Sequence, residues 1–324
     1  MPIFAGSRRL RVRAALALLG AAFAIWPLSA YAPDAQAKRK GIFWRVSSPT
    51  TEIHFFGSIH VATADIYPLP AEIESAFKAA SFLVVELDPF AGGATNQAMQ
   101  AMQRGMYPPD DSLDKHISAE TMAMFRSFLE KNELPPMAMA MLTRMKPGLA
   151  MTAVTLLVIE KMGLSADYGV DKHFLDSAHN PGTTKRIVEL ETMDDQLSVL
   201  FDLDDKLAEA ALKSALKETT KEELTKLLTA WKRGDVPTVE KMALDSDADA
   251  AAKTLNDRMI NQRNDKMTEK IAAMLKGSEK GFVVVGAAHL LGDRGIVEQL
   301  RKRGFKVEQP DLSYAAAAPA PAAR

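Results

Sequence analysis

Cysteine is absent from all 324 residues. The chain therefore forms no disulfide, offers no thiolate to a metal and cannot be acylated on cysteine. Any metal it holds must be bound through His, Asp or Glu. Charge of one sign is also lacking: 40 Lys and Arg are interspersed with 41 Asp and Glu, a net charge of −1. Without a basic stripe there is no electrostatic footprint for nucleic acid, and DNA and RNA are excluded as partners. Long apolar runs are scarce too. The single one, Ala14 to Leu28, is shorter than the about 20 residues a membrane span needs, so no stable span is expected in the mature chain. Histidine occurs six times, which makes any repeated histidine context informative.

What is present begins with 47% hydrophobic residues against 25% charged, enough apolar material for a globular core. At the N-terminus, Arg8, Arg9, Arg11 and Arg13 precede the apolar stretch, and small residues follow around Ala30-Tyr31-Ala32 and Ala35-Gln36-Ala37. That order predicts an export signal over residues 1–37 and a periplasmic or secreted mature protein. Ala/Pro low complexity from Ala315 to Arg324 predicts a disordered tail over 313–324. Between them, residues 38–312 read as one domain; nothing in the pattern specifies an oligomeric state.

Strand-like runs open that domain. Ile42 to Val46 and Thr51 to Phe56, joined by Ser-Ser-Pro-Thr, predict an antiparallel hairpin. Pro70 then starts a helix with Ile73, Phe77 and Ala80 on one face, and Phe82-Leu83-Val84-Val85 follows as a short buried strand, an order that implies a parallel crossover. From about 96 to 275 the apolar spacing is mainly helical, interrupted by a strand at Arg186 to Glu191. Phe282 to Val285, a helix near Gly295 to Arg303, Gly304 as its cap and Phe305 to Val307 close the domain. The fold class is α/β, a mixed sheet with a large helical insertion. Methionines between Met99 and Met162 read as core filler ahead of an adaptable binding surface.

Two copies of a GxxH pattern sit directly after apolar strands: Gly57-Ser58-Ile59-His60 and Gly286-Ala287-Ala288-His289. Each glycine is expected to let the backbone turn and deliver a histidine at the strand's exit. An imidazole there can ligate a metal or act as a base. Glu86 ends another apolar strand, and open α/β sheets bind ligands at the C-terminal ends of their strands. His60, Glu86 and His289 make a two-imidazole, one-carboxylate set suited to Zn, Mn, Fe or Co. Asp88 can take the role of Glu86, and His54 can share a strand face with the site. Arg263 offers a planar fork for a carboxylate or an oxyanion, with Asn264 beside it.

Several short segments, in this order, resemble the TraB/GumN/PrgY family, which includes the animal Tiki proteases. They are Gly57-Ser58-Ile59-His60, Val84-Val85-Glu86-Leu87-Asp88, Gly169-Val170-Asp171, Val188-Glu189-Leu190-Glu191-Thr192 with Gln196, Arg263-Asn264, and Val284-Val285-Gly286-Ala287-Ala288-His289-Leu290. The resemblance covers Gly41 to Gln309 and is nearest the bacterial GumN-type branch. It implies a fold related to the erythromycin-esterase and ChaN-like proteins. It also implies divalent-metal peptidase activity, with Mn or Co as the ion, at His60, Glu86 and His289, with Arg263 and Asn264 as further family positions. Ser58 stands where threonine is common, and Met267 where an aromatic or small residue often follows Arg-Asn.

The expectation is thus an exported, divalent-metal-dependent hydrolase (Mn, Co or Zn), a peptidase acting on a peptide or protein. His60, Glu86 and His289 hold the metal; Glu86, Arg263, Asn264 and, in reserve, Glu191 act in catalysis. A non-catalytic periplasmic protein binding a ligand or partner in the same cleft is the alternative, and a metal-free esterase a third.

Overall fold

The computed structural model of the protein describes residues 38–313 except 92–93, 184, 218–219 and 245–249. The expected export signal and the tail from 314 onward lie outside the described residues. Ser313 does not belong to a tail: it ends strand β8, paired with Lys38.

Apolar runs and their breaks define the strands: β1 (Lys38–Lys40), β2 (Phe43–Ser47), β3 (Glu52–Ser58), β4 (Phe82–Val85), β5 (Arg186–Glu189), β6 (Gly281–Gly286), β7 (Lys306–Glu308) and β8 (Asp311–Ser313). Six of them form one mixed sheet in the order β5-β4-β6-β3-β2-β7. The hairpin is the expected one, with Phe43 opposite Phe56. β3, β6, β4 and β5 run parallel. β3 and β4 are therefore not neighbours; β6, from the far end of the chain, lies between them. Val283 to Val285 and Leu83-Val84 are fully buried, as unbroken apolar runs in central parallel strands require. β1 and β8 form a separate antiparallel pair.

Helices connect these strands. α1 (Ala71–Ala79) crosses from β3 to β4 and buries Ile73 and Phe77 against the core. Then come α2 (Ala94–Gly105), α3 (Ala119–Lys131), α4 (Pro136–Leu142), α5 (Pro147–Lys161) and α6 (Val170–His179) before β5. α7 (Met193–Phe201), α8 (Asp205–Ala215), α9 (Thr220–Lys232), α10 (Val236–Leu244), α11 (Ala250–Asn256) and α12 (Gln262–Met274) lead to β6. α13 (Ala287–Leu290) and α14 (Ile296–Lys302) precede β7, and Gly304, at φ +88°, ends α14 in the left-handed region as its cap. The stretch read as one helix from Ala250 to Leu275 contains a π turn at Asp257–Asn261 between α11 and α12. α3, α5 and α8 pack a second apolar cluster around Leu113, Phe125, Leu129 and Leu212, apart from the sheet core.

The two GxxH glycines do not serve as turns. Neither takes a positive φ, and Gly286 sits at φ −49°, ψ 136°, open to any residue. Gly57 is required by packing, since a Cβ there would meet Ile42 Cγ2 at 2.2 Å and the Ala287 backbone at 3.0 Å. Gly57→Ala is expected to lower unfolding free energy by about 1–3 kcal/mol, the usual cost of overpacking. The smaller unfolded-state gain of a Gly→Ala change, about 0.4–1 kcal/mol, does not offset it. Urea denaturation measures the difference; an unchanged midpoint would refute the packing role.

Candidate functional site

Parallel strands end on a common rim, and four ends bring the candidates together. His60 follows β3, Glu86 follows β4, Glu191 lies just beyond β5, and Gly286 ends β6 with His289 one helical turn later. The backbone N–H of Glu191 donates to the Glu86 carbonyl at 2.9 Å, which fixes the two carboxylate residues side by side.

Each imidazole is oriented from behind. His60 Nδ1 is 2.8 Å from Asp171 Oδ2, and Ser58 Oγ donates to Asp171 Oδ1 at 2.6 Å. Asp171 reaches this place because α6 docks against the His60 loop: the Val170 N–H donates to the Ile59 carbonyl at 2.9 Å. A Cβ on Gly169 would strike the His60 carbonyl oxygen at 2.4 Å, so only glycine allows that approach. His289 Nδ1 lies 2.6 Å from Asn264 Oδ1, while Asn264 Nδ2 donates to the Arg294 carbonyl. That second bond sets the amide's direction, so Asn264 Oδ1 must accept the Nδ1 proton and the His289 Nε2 lone pair is left facing the site.

The two rings differ electrically. The His60 side chain is 69% exposed, and its pKa is raised to about 9, by the Asp171 hydrogen bond first and by Asp171's charge second. Because solvent screens the charge on so open a ring, the hydrogen bond carries the effect. Replacing it should be visible directly: Asp171→Asn is expected to return His60 toward its ordinary 6.5, read from the ring protons by NMR titration. An unshifted titration would remove Asp171 from this role. His289 is buried at 3% exposure, and burial lowers its pKa, so it is neutral at pH 7.

Glu86 Oε1 accepts the Gly286 N–H at 2.7 Å, and Glu86 Oε2 accepts from Arg263 Nη2 at 2.5 Å. Burial opposes ionisation of Glu86, but His289, which gains its charge only at acid pH, together with Arg263, His60 and the Gly286 N–H, outweighs it and brings its pKa to about 2. Arg263 also grips Glu191 through Nε at 2.8 Å and Nη2 at 2.6 Å, and its Nη1 donates to the Met259 carbonyl in the π turn. Arg263, read from sequence as a fork for an oxyanion or a carboxylate, here tethers two buried carboxylates of the protein itself. Asn264 is fully buried behind His289, a positioning residue out of reach of any substrate.

Two further candidates lie away from the site, His54 by position and Asp88 by taking the ion-pair role also open to it. His54 sits near the start of β3, stacked on Phe43, and does not line the cavity at the rim. It is four residues from the end of the strand, about 13 Å away. Asp88 turns from the site to His179 Nε2 at 2.8 Å and accepts the Phe90 N–H. Sequence reasoning also overlooked Asp171 as the partner of His60, although Gly169-Val170-Asp171 was among the resembling segments.

The profile of the TraB/PrgY/gumN family matches residues 42–309. The chain belongs to this family. The uncharacterized protein YbaP of Escherichia coli (strain K12) is 27% identical over 255 residues, covering 76% of this chain and 87% of that protein. The YbaP of Shigella flexneri matches equally, 27% over the same 255 residues. No solved structure matches the chain.

In this TraB/PrgY/gumN member a cavity of about 550 Å³ opens over the rim. Its polar end carries His60, Glu86, Asp171 and Arg263; Phe90, Val199, Leu200 and Met259 form an apolar wall. Among the described residues no group of three or more His, Asp or Glu stands at metal-ligating spacing, and His289 Nε2 is 3.7 Å from Glu86 Oε1. The donor chemistry nevertheless fits a divalent ion. Both imidazoles have Nδ1 engaged by an oxygen, the arrangement that orients Nε2 of a metal-binding histidine. A Cβ on Gly286 would lie 3.3 Å from Glu86 Oε1, 3.5 Å from His289 Cδ2 and 3.9 Å from His60 Nε2. Glycine at 286 thus leaves open the space on which the three groups converge.

Proposed function

We propose that this protein is an exported, divalent-metal-dependent hydrolase, a peptidase, working at the rim of β3, β6 and β4. The observation that carries this reading is the cradle around Gly286, bordered by two oriented imidazoles and an ionised carboxylate. His289, through Nε2, and Glu86, through Oε1, would hold Mn, Co or Zn together with His60, whose Nε2 proton the incoming ion must displace. Such an ion supplies Lewis acidity and a bound water of lowered pKa, about 7, as nucleophile.

The protein's own groups divide the remaining work. Glu86, held ionised at about 2, is too weak a base to take a proton near neutrality, which assigns it to charge and ligation. Asp171 and Asn264 orient the rings, and Arg263 fixes Glu86 against Glu191. The apolar wall from Phe90 to Met259 gives a substrate side chain somewhere to bury. Export rests on the arginines and the apolar stretch before Ala37. No helix among the described residues is long and apolar enough to cross a membrane. A fold kinship with the erythromycin-esterase and ChaN-like proteins belongs to the same reading and is supported by the sequence resemblance.

One observation favours a second reading, ligand binding without hydrolysis: both oxygens of Glu86 and both of Glu191 are already bonded, so neither carboxylate is free to act as base. Metal analysis of the purified protein, with a peptide-library assay in Mn, Co or Zn, separates the two. On the first reading His60→Ala and His289→Ala each lose metal and cleavage. Retained metal in both variants would overturn it, and metal binding without cleavage would favour the second.

A further inference from the structure

A second cavity, of about 580 Å³, lies behind the catalytic one. α8 contributes Ala210, Lys213 and Ser214 to its lining, Lys217 follows just beyond the helix, α10 adds Ala243 and Leu244, and the stretch from Ala251 through the π turn contributes the facing wall. Arg258 Nη2 donates to the carbonyls of Ser198 and Asp202, which places the π turn beside the start of α8. The two walls therefore run antiparallel, with the lysines at one end and Met259 at the other. From Ala251 to Met259 is on the order of 12 Å along the helix, the reach of a medium-length acyl chain.

Among the described lining residues the charged ones, Lys213 and Lys217, lie at one end. Lys213 is paired with Glu120 at 2.8 Å, whereas Lys217 has no side-chain partner among the described residues. Lys217 also borders an adjoining depression that it shares with Lys221. The opposite end is apolar, and Met259 lines this cavity and the catalytic one alike, so the π turn is the partition between them. Such turns occur frequently at functional sites.

We infer that this second cavity binds an amphiphile with an anionic head and a medium-length acyl chain, its head at Lys217 and its tail against Met259. The head can be the carboxylate of a free fatty acid or the phosphate of a lysophospholipid; both present one negative group joined to one chain. This inference does not depend on the proposed hydrolysis, and direct binding tests it.

Sodium decanoate titrated calorimetrically into the purified protein is expected to saturate at one site. Affinity should fall about fourfold for each methylene removed from the chain. Lys217→Glu should weaken binding at least tenfold, with Lys217→Met, which keeps the apolar stem, in between. Ala251→Phe, which fills the cavity, should abolish binding, while Val199→Phe in the catalytic cavity should leave it unchanged. Circular dichroism establishes that each variant is folded, and a decanoyl lysophospholipid run alongside identifies the preferred head. No saturable binding, undiminished binding by Lys217→Glu, or loss in Val199→Phe in place of Ala251→Phe overturns the inference.

Discussion

Gly286→Ala is expected to leave the protein folded and to cost it its chemistry. The backbone at 286 suits alanine, and the nearest atom to the added methyl, Glu86 Oε1 at 3.3 Å, need give only a few tenths of an ångström. Stability should change by less than about 1 kcal/mol, since the entropy gained by restricting the unfolded chain offsets the tight contact. The methyl nonetheless occupies the space between Glu86, His289 and His60. On the proposed reading the methyl takes the place of the ion, so metal content and hydrolysis should both fall, the latter by roughly 100-fold or more. Gly57→Ala should do the reverse, weakening the fold and leaving the site's chemistry in place. A Gly286→Ala protein that keeps full metal and activity would remove the cradle from the account.

Arg263→Met should give the largest loss of stability of any substitution considered. The Glu86 and Glu191 side chains are 11% and 6% exposed, and Arg263 is the cation between them. Removing one partner of a buried ion pair costs about 3–5 kcal/mol, because the remaining charge has neither water nor a counterion. The pH dependence carries the sign. In the native protein Glu86 titrates at about 2 against an ordinary 4.5, so its stabilising contribution is present above 4.5 and is lost as pH falls through 2. Without Arg263, burial raises the Glu86 pKa, and protonation relieves the variant. The deficit in urea midpoint should therefore be large at pH 7 and shrink toward pH 4. An equal deficit at both would mean that lost packing, rather than stranded charge, is responsible.

Much of the site was legible in the chain. His60, His289 and Glu86 were identified because each follows a short apolar run that reads as a buried strand, and strand ends in α/β sheets are where ligands gather. Arg263 and Asn264 stood out as a planar fork and its neighbour on a polar helix, Glu191 lay in a resembling segment, and all three do meet these residues, though in supporting positions. Asp171 stood in a resembling segment without a visible task, because it lies 111 residues from the ring it orients. The glycines misled: both end strands, yet one is small to admit Ile42 and the other to leave a space open. A glycine in a sequence does not declare which.

The helices, the β2–β3 hairpin, the buried strands and the histidine at each strand exit follow from local pattern, since side-chain periodicity and turn chemistry act over a few residues. Folding alone decided that β6 enters between β3 and β4, and so which groups share the rim. Strand pairing is chosen by burial summed over the whole sheet, a quantity no local window contains. The same tertiary choice placed Arg263 between two buried carboxylates and left one imidazole cationic and the other neutral near pH 7. Solvent exposure and neighbouring charge, which set a pKa, exist only once the chain has closed around them.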